Sequence, residues 1–257
     1  MRTRNTCRLH RSGSQKGLTI IELMVAMVLG LLLMAMAIHI FVGSRDTYRY
    51  NSNLARLQEN GRFAFEQISR VVRMTGYQGD SAAAWVLGPM TLANGGVTPL
   101  AGTDNAVNDS DTITLSYQGS TDNFIKDCHG TDVAAGETVQ NLYALDGNNQ
   151  LTCAVTLDGV AGATLPVIDG VEAMHVLFGV DTDNDDAANQ YVSAGNVGDM
   201  EDVVSLRLSM LLRTLDDDIV EVTDTGTHDL LDETVDPADD RRLRRVFSTT
   251  INLRNQL

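Results

Sequence analysis

The chain has 257 residues, of which 43% are apolar, and its 4 Pro and 22 Gly exclude a collagen-like, mucin-like or wholly disordered polymer. Its formal charge is −15, and residues 76–257 alone hold eight basic against thirty acidic side chains. Such an acidic body repels phosphate backbones, so direct binding of nucleic acid is not expected.

A basic leader and a long apolar run open the chain. Residues 1–17 carry five basic and no acidic side chains, and residues 18–42 are interrupted by one acid, Glu22, and one histidine, His39. As a helix this run is about 37 Å long, enough to cross a hydrocarbon core of about 30 Å. A secretory signal peptide is the alternative, but its apolar region has only about 7–15 residues. The basic flank therefore predicts a single span with a cytoplasmic N-terminus and an external body.

The junction between leader and span is the most specific feature of the sequence. Glu22 lies inside the apolar run, five residues after Gly17. An ionisable group costs about 2.5–3.5 kcal/mol at mid-membrane and is functional by default, although an incidental glutamate at the membrane edge is the alternative interpretation.

The sequence from Gly17 through Leu18 to Glu22 resembles the class III prepilin signal of type IV pilins. The resemblance implies that a membrane prepilin peptidase cuts after Gly17 and methylates the new amine of Leu18, where most relatives have Phe. It also implies that Glu22 pairs with the N-terminal amine of a neighbouring subunit. Two charges that are costly to bury singly can be buried as a pair, which sets the subunit register in a filament.

Residues 43–75 are predicted to continue the helix as an amphipathic half. No Pro occurs between Leu18 and Met74, so a helix of about 57 residues can form. Apolar positions recur every three or four residues, at Leu54, Leu57, Gly61, Phe65, Ile68 and Val72. A plain coiled-coil dimer is the alternative interpretation of this stripe.

Later segments narrow the resemblance to the PilW family of minor type IV pilins. The segment ENGRFA at 59–64 is followed by an R-x-x-GY-x-G turn at 73–79, and the segments at 178–183 and 242–255 resemble the same family. The leader motif alone fits any pilin or pseudopilin, so the combination carries the resemblance.

Residues 76–257 are predicted to be β-rich. Leu206, Leu208, Met210 and Leu212 alternate with polar residues, which is typical of a half-buried strand. Further strands are predicted at 112–117, 138–145, 151–156, 172–180 and 246–253. We therefore expect an α+β, type IV pilin-like fold whose long N-terminal helix packs its second half on an antiparallel β-sheet.

Three cysteines suit an oxidising compartment. Cys7 lies in the leader and is lost on cleavage, which leaves Cys128 and Cys153 as a pair. A disulfide between them is predicted to contribute roughly 3–4 kcal/mol. The rival interpretation makes Cys128, His129 and Cys153 zinc ligands, but no CxxC pair and no obvious fourth ligand accompany them.

Two charged segments are candidate binding regions. Asp181, Asp183 and Asp185 match the first positions of a calcium loop, but the required Gly and the bidentate Glu are replaced by Asp186 and Val192. A solvated acidic connection is the alternative. Residues 214–240 hold eleven acidic side chains and are predicted to form a mobile or partner-facing loop. The arginines that follow either pair with nearby acids or form a docking patch: Arg241, Arg242, Arg244 and Arg245.

The resemblance implies a structural subunit for type IV pilus assembly and priming, placed at or near the tip and supporting twitching motility, adhesion or DNA uptake. The implied partners are prepilin peptidase, the major and other minor pilins, a large tip adhesin and the inner-membrane assembly platform. The mature chain is expected in the bacterial inner membrane, with its body in the periplasm, and then in the pilus on the cell surface.

Two other functions are compatible with the sequence. A minor pseudopilin of a type II secretion system shares the leader and the helix-on-sheet plan. A calcium-regulated surface-binding module is the alternative from another class. An enzyme is not expected, because the sequence has no GxSxG, HExxH or GxxxxGK[ST] motif, and no cofactor other than calcium is implied. His175 is interpreted as a structural residue.

Overall fold

The computed structural model describes residues 17–79, 98–107, 109–121 and 124–255. The basic side chains of the leader and Cys7 lie outside the described residues. Residues up to 48 and residues from 49 onward belong to two compact units.

One helix, α1 (Ile20–Met74), contains both the apolar and the amphipathic segment. In the second unit its buried positions are Asn53, Leu57, Gly61, Ala64, Ile68, Val71 and Val72. The spacing of three and four places them on one helix face. Four of the six predicted stripe residues are buried and the other two, Leu54 and Phe65, are half-buried, so the predicted stripe is confirmed.

The helix ends where the sequence changes from helix formers to glycine. Gly76 has a φ of +81°, a left-handed conformation that closes helices and that glycine adopts without steric cost. The amide of Asn255 donates to the carbonyl oxygens of Met74 at 3.4 Å and Thr75 at 2.9 Å. The C-terminal segment therefore caps the end of the helix.

Five antiparallel strands form the first sheet, in the order β1–β2–β3–β4–β5. Their bounds are β1 (Leu100–Val107), β2 (Ser110–Gln118), β3 (Thr138–Leu145), β4 (Gln150–Leu157) and β5 (Val160–Asp169). The pattern analysis found β2, β3 and β4 but missed β1 and β5. Eight of the ten residues of β5 are exposed, so its sequence lacks the alternation that marks a half-buried strand.

Four antiparallel strands form the second sheet, in the order β11–β8–β6–β7, and two more form a hairpin. The sheet strands are β6 (Val171–Val180), β7 (Gln190–Val192), β8 (Val203–Arg213) and β11 (Arg244–Asn252), and the hairpin strands are β9 (His228–Leu230) and β10 (Glu233–Val235). Short 3₁₀ turns lie at Ala194–Asn196 and Met200–Asp202. The expected single sheet is thus two sheets, because the chain leaves β5 at Gly170 and enters the second sheet.

Gly170 permits this change of sheet. Its φ is +82°, and an added Cβ would lie 2.7 Å from the carbonyl oxygen of Arg213. Its own carbonyl accepts the N–H of Arg213 at 2.8 Å. Any larger residue here would separate the start of β6 from the end of β8.

The buried face of α1 shares one apolar core with both sheets. The core joins Leu57, Ala64, Ile68, Val71 and Val72 of the helix to side chains such as Tyr117 and Tyr143 of the first sheet and Met210 of the second. The helix-on-sheet arrangement is therefore confirmed, and the helix packs on two sheets at once.

Side chains of β2 complete the edge of β6. One edge of β6 pairs with β8, whereas β7 covers only Phe178–Val180 of the other edge, so the earlier N–H groups on that edge have no strand partner among the described residues. The Ser110 hydroxyl accepts the N–H of Met174 at 3.3 Å, and Asp111 Oδ2 accepts that of Val176 at 2.8 Å. Although burial opposes ionisation, His175 and the N–H groups of Val176 and Asn105 hold the pKa of Asp111 below its usual range. Asp111 is therefore an ionised link between the sheets.

Asp111→Asn is expected to reduce the free energy of unfolding at pH 7 by about 1–3 kcal/mol, because the amide cannot accept both N–H groups. A folded pKa below the unfolded value gives stability above about pH 4 that is lost as the pH falls through the folded pKa. Wild type should therefore lose more stability than the variant between pH 7 and pH 3, measured by urea denaturation. The exposed control Asp239→Asn should follow wild type. Parallel losses in Asp111→Asn and wild type would contradict this role.

Candidate functional site

Gly17 and Leu18 precede the helix and are exposed. The Leu18 side chain is 76% exposed, and a Cβ added to Gly17 would meet no atom within 4 Å. The bond between them is therefore sterically accessible, and a side chain at position 17 is tolerated by the fold.

Glu22 has a local partner that the sequence analysis missed. Thr19 precedes the helix, and its N–H and hydroxyl both lie 3.4 Å from Glu22 Oε2, while the Glu22 N–H donates to the Thr19 hydroxyl at 3.3 Å. This reciprocal arrangement is a capping box, and the spacing T-x-x-E was its sequence signal. Glu22 thus supports the helix start while it stays exposed.

The first half of α1 presents apolar side chains on all sides. The helix contains a segment long and apolar enough to cross a membrane, and none of that segment is buried within the protein. Because uncompensated apolar surface of this size is unfavourable in water, the segment requires an apolar environment such as a bilayer or other helices. The segment therefore fits a membrane anchor or a helix that packs among other helices.

Cys128 and Cys153 form a disulfide, with their Cα atoms 6.6 Å apart. The bond ties β4 to the loop before β3, and the side-chain amide of Gln67 on α1 donates to the Cys128 carbonyl at 3.0 Å. The predicted pairing is confirmed. The zinc interpretation is wrong for this state, because disulfide sulfurs are not thiolate ligands, and the His129 Nε2 atom lies 2.9 Å from the Cys153 carbonyl oxygen.

The three aspartates of the acidic connection come together, with one carboxylate oxygen of each of Asp181, Asp183 and Asp185 lying within 4.8 Å of the others. Asp181 is already used as an acceptor by backbone N–H groups of Asp183, Asn184 and Asp186. Partial burial opposes ionisation of Asp181, but these bonds lower its pKa. The cluster is thus explained as a loop closed on Asp181, and calcium binding stays a prediction.

Residues 214–240, expected as a mobile or partner-facing loop, contain regular structure. They contain the hairpin β9–β10, in which Leu230 is fully buried against Ala173 and Leu211. Arg241 pairs with Asp218 at 2.9 Å, and Arg242 donates to the carbonyl oxygens of Thr214 and Leu215. The arginines thus organise the acidic segment that precedes them.

Arg244 is the centre of this organisation. Its side chain is 0% exposed, and it binds the Glu172 carboxylate through Nε at 2.6 Å and Nη2 at 3.1 Å. Its Nη1 lies 2.8 Å from Asp240 and 3.5 Å from Asp224. Burial opposes the charge, but Glu172 and Asp240 raise the pKa of Arg244. Pairing with nearby acids is therefore confirmed for Arg241, Arg242 and Arg244, and the buried Arg244 cannot belong to a docking patch.

Arg244→Ala is expected to lower the free energy of unfolding by about 3–5 kcal/mol, because it leaves the buried Glu172 carboxylate with fewer partners. The neighbouring Arg245 is exposed, so Arg245→Ala should change stability by no more than about 0.5 kcal/mol. Denaturant unfolding of both variants measures the difference. Equal losses would show that Arg244 is not the centre of the segment.

Asp181→Ala is expected to lower the Tm in calcium-free buffer, because three backbone N–H groups lose their acceptor. Asp183→Ala should lower it less, since Asp183 is exposed and accepts only the Asn189 amide at 3.2 Å. Repeating both melts with calcium tests the open prediction of an ion site. A calcium-dependent rise in the wild-type Tm that Asp183→Ala removes would establish that site, and a Tm insensitive to calcium would exclude it.

Comparisons with known proteins match both ends of the chain. Residues 136–255 match the family model described as Type IV Pilus-assembly protein W, PilW, and residues 13–38 match the prokaryotic N-terminal methylation motif. Among curated proteins none matches the chain. A solved structure of a type IV-like pilin from Thermus thermophilus is 16% identical, with 77% of this chain and 95% of that chain covered and a TM-score of 0.46.

The two matched regions, 13–38 and 136–255, agree with the architecture of the chain. The methylation motif spans Gly17, Leu18 and Glu22, and the PilW region includes the disulfide residue Cys153 and the buried Arg244. These matches imply processing by a prepilin peptidase and contacts with pilus components. The PilW match together with the N-terminal methylation motif supports a pilin-like subunit that is similar to the PilW type IV pilus-assembly proteins.

Proposed function

We propose that this protein is a minor pilin that enters type IV pili through the apolar half of α1. The observation that carries the proposal is an apolar helix segment with no side chain buried inside its own protein and with one carboxylate, Glu22, near its start. Such a segment gains most from packing among identical or similar helices, because these bury its apolar faces and can supply a charge partner.

Glu22 is proposed to set the position of the subunit along the filament. Its carboxylate is costly in an apolar environment unless a positive group lies beside it. The amine created at Leu18 by cleavage after Gly17 is such a group on a neighbouring subunit. Because a stagger that separates the two charges leaves both unpaired, the correct axial position is favoured.

The leader and the disulfide support the proposed route. Basic side chains before the span favour a cytoplasmic N-terminus, so the body from residue 76 onward lies in the periplasm before assembly. The Cys128–Cys153 bond suits that oxidising compartment. The mature chain is then displayed on the pilus at the cell surface.

The match to the PilW family model supports a role in assembly priming. We place the subunit at or near the tip, together with other minor pilins and a large tip adhesin, above the major pilin and the inner-membrane platform. Twitching motility, adhesion or DNA uptake would then depend on it indirectly. Catalysis is not part of the proposal, since the subunit acts through helix packing.

A minor pseudopilin of a type II secretion system remains the second candidate, because the leader, Glu22 and the helix-on-sheet plan would serve both machines. A deletion strain separates them. Loss of surface pili with normal protein secretion would assign the subunit to the pilus. Loss of secretion with intact pili would assign it to the secretion system.

Cleavage is tested by intact mass and N-terminal sequence of protein extracted from membranes of cells that contain a prepilin peptidase. Wild type should begin at methylated Leu18. Gly17→Val should stay uncleaved, although its fold is unchanged because a side chain at position 17 meets no neighbour. A wild-type chain that retains its leader would overturn the pilin assignment.

Glu22→Gln tests the register role in the same cells. The glutamine keeps the side-chain length and can still bond the Thr19 hydroxyl, but it cannot neutralise an amine. We expect normal cleavage and membrane insertion with at least about tenfold less variant in sheared pili, which corresponds to about 1.4 kcal/mol per tenfold change. Glu66→Gln, which changes an exposed carboxylate on the second half of α1, is the matched control. Equal recovery of Glu22→Gln and wild type in pili would refute this role.

A further inference from the structure

A cavity of about 420 Å³ lies between the hairpin β9–β10 and the second sheet. Its walls come from separate parts of the body: the turn before β2, the turn before β4, strands β6 and β8, and residues 233–238. The volume is sufficient for one large amino-acid side chain. The proposed filament contacts do not use it.

His175 brings an unpartnered nitrogen to this cavity. The residue is 2% exposed, and its Nδ1 lies 3.6 Å from Asp111 Oδ2. That carboxylate favours the tautomer with its proton on Nδ1, in which Nε2 is a hydrogen-bond acceptor. Within the described part of the chain, Nε2 has no hydrogen-bond partner. A buried acceptor of this kind is costly unless a donor reaches it.

The charges around the cavity favour a cationic donor. Glu172 is matched by Arg213, which also lines the cavity, at 3.1 Å and by Arg244, which does not, so the charge of Glu172 is neutralised. Three further acids line the cavity and form no ion pair or hydrogen bond through their carboxylates with the described residues: Asp109, Glu233 and Asp236. The net charge of the cavity lining is therefore negative. It attracts a cation and repels a carboxylate or phosphate.

We propose that this cavity binds the ammonium or guanidinium group of a lysine or arginine side chain from another pilus subunit. The cation donates to His175 Nε2 and is neutralised by the acidic residues of the wall. Arg213 Nε, a second buried group without a partner in the described residues, would donate to a backbone carbonyl of the same incoming segment. Only the identity of the partner rests on the proposed function.

A metal ion suits the cavity less well than an organic cation. Among the described residues, the groups of carboxylate, histidine and cysteine atoms close enough to share an ion do not include His175. A single imidazole with distant carboxylates does not make a three- or four-ligand site. The acidic wall instead suits an organic cation, which carries several N–H donors.

The test uses the full chain in detergent micelles with ¹⁵N-labelled histidine. The probe is Nα-acetyl-lysine methylamide, and its Nε-acetylated form is the neutral control. We expect the lysine probe to shift the imidazole resonances of His175 saturably, with the neutral form and Nα-acetyl-glutamate methylamide causing no saturable shift. The resonances are assigned with His175→Gln.

Two double variants test whether the acidic residues of the cavity wall bind the cation. Glu233→Gln/Asp236→Asn should weaken lysine binding by about tenfold or more, since two neutralising charges are lost. Asp232→Asn/Asp239→Asn removes the same charge from exposed positions that do not line the cavity, and should stay within about twofold of wild type.

Three results would overturn the inference: no saturable shift of His175, equal weakening in both double variants, or equal binding of the neutral probe. A shift caused by zinc chloride but not by lysine would make the cavity a metal site and would also overturn it. Protein that is cleaved after Gly17 and enters pili with an inert cavity would refute this inference alone. Loss of processing with lysine binding intact would refute the filament role alone.

Discussion

Burial of one face of α1 is the interaction on which the body depends. Leu57, Ile68 and Val72 lie in the same apolar core as residues of both sheets, and each fully buried aliphatic side chain contributes about 1.5–3 kcal/mol. Each sheet has an apolar inner face that needs a cover. A single helix face meets this need for both sheets, so the body requires the helix as much as the helix requires the body.

The segments that carry the family resemblance are largely the contacts that hold this arrangement. An added Cβ at Gly61 of the ENGRFA segment would lie 3.0 Å from the Phe247 ring, which belongs to the C-terminal segment. Asn255 caps the helix end, and Gly79 packs so closely that an added Cβ would lie 2.5 Å from the Gly119 carbonyl oxygen. These motifs are therefore explained by packing contacts within the body, whereas the leader motif is explained by processing.

The acidity of the body has an internal explanation as well as an external one. Many carboxylates close turns by accepting backbone N–H groups: Asp104 binds Ala194 and Gly195, Asp127 binds His129 and Thr131, and Asp146 binds Asn148 and Gln150. Arg241, Arg242 and Arg244 neutralise others near the C-terminal strand. Much of the negative charge thus has a structural role. Asp109, Glu233 and Asp236 on the cavity wall differ, because their carboxylates have no partner among the described residues.

The sequence by itself determined the features that depend on local pattern: the leader junction at Gly17 and Leu18, the apolar run with Glu22, the helix stripe, and the strands whose residues alternate. It also indicated the disulfide, because removal of the leader leaves one cysteine pair. Only the tertiary structure decided how the nine sheet strands of the described residues divide into two sheets, since β1 and β5 lack alternation and a glycine at position 170 redirects the chain. It alone brought Asp111 to the edge of β6, Glu172 to Arg244, and His175 to the acidic cavity. Those pairs are separated by tens of residues, and a one-dimensional pattern carries no signal for contacts made through the folding of distant strands.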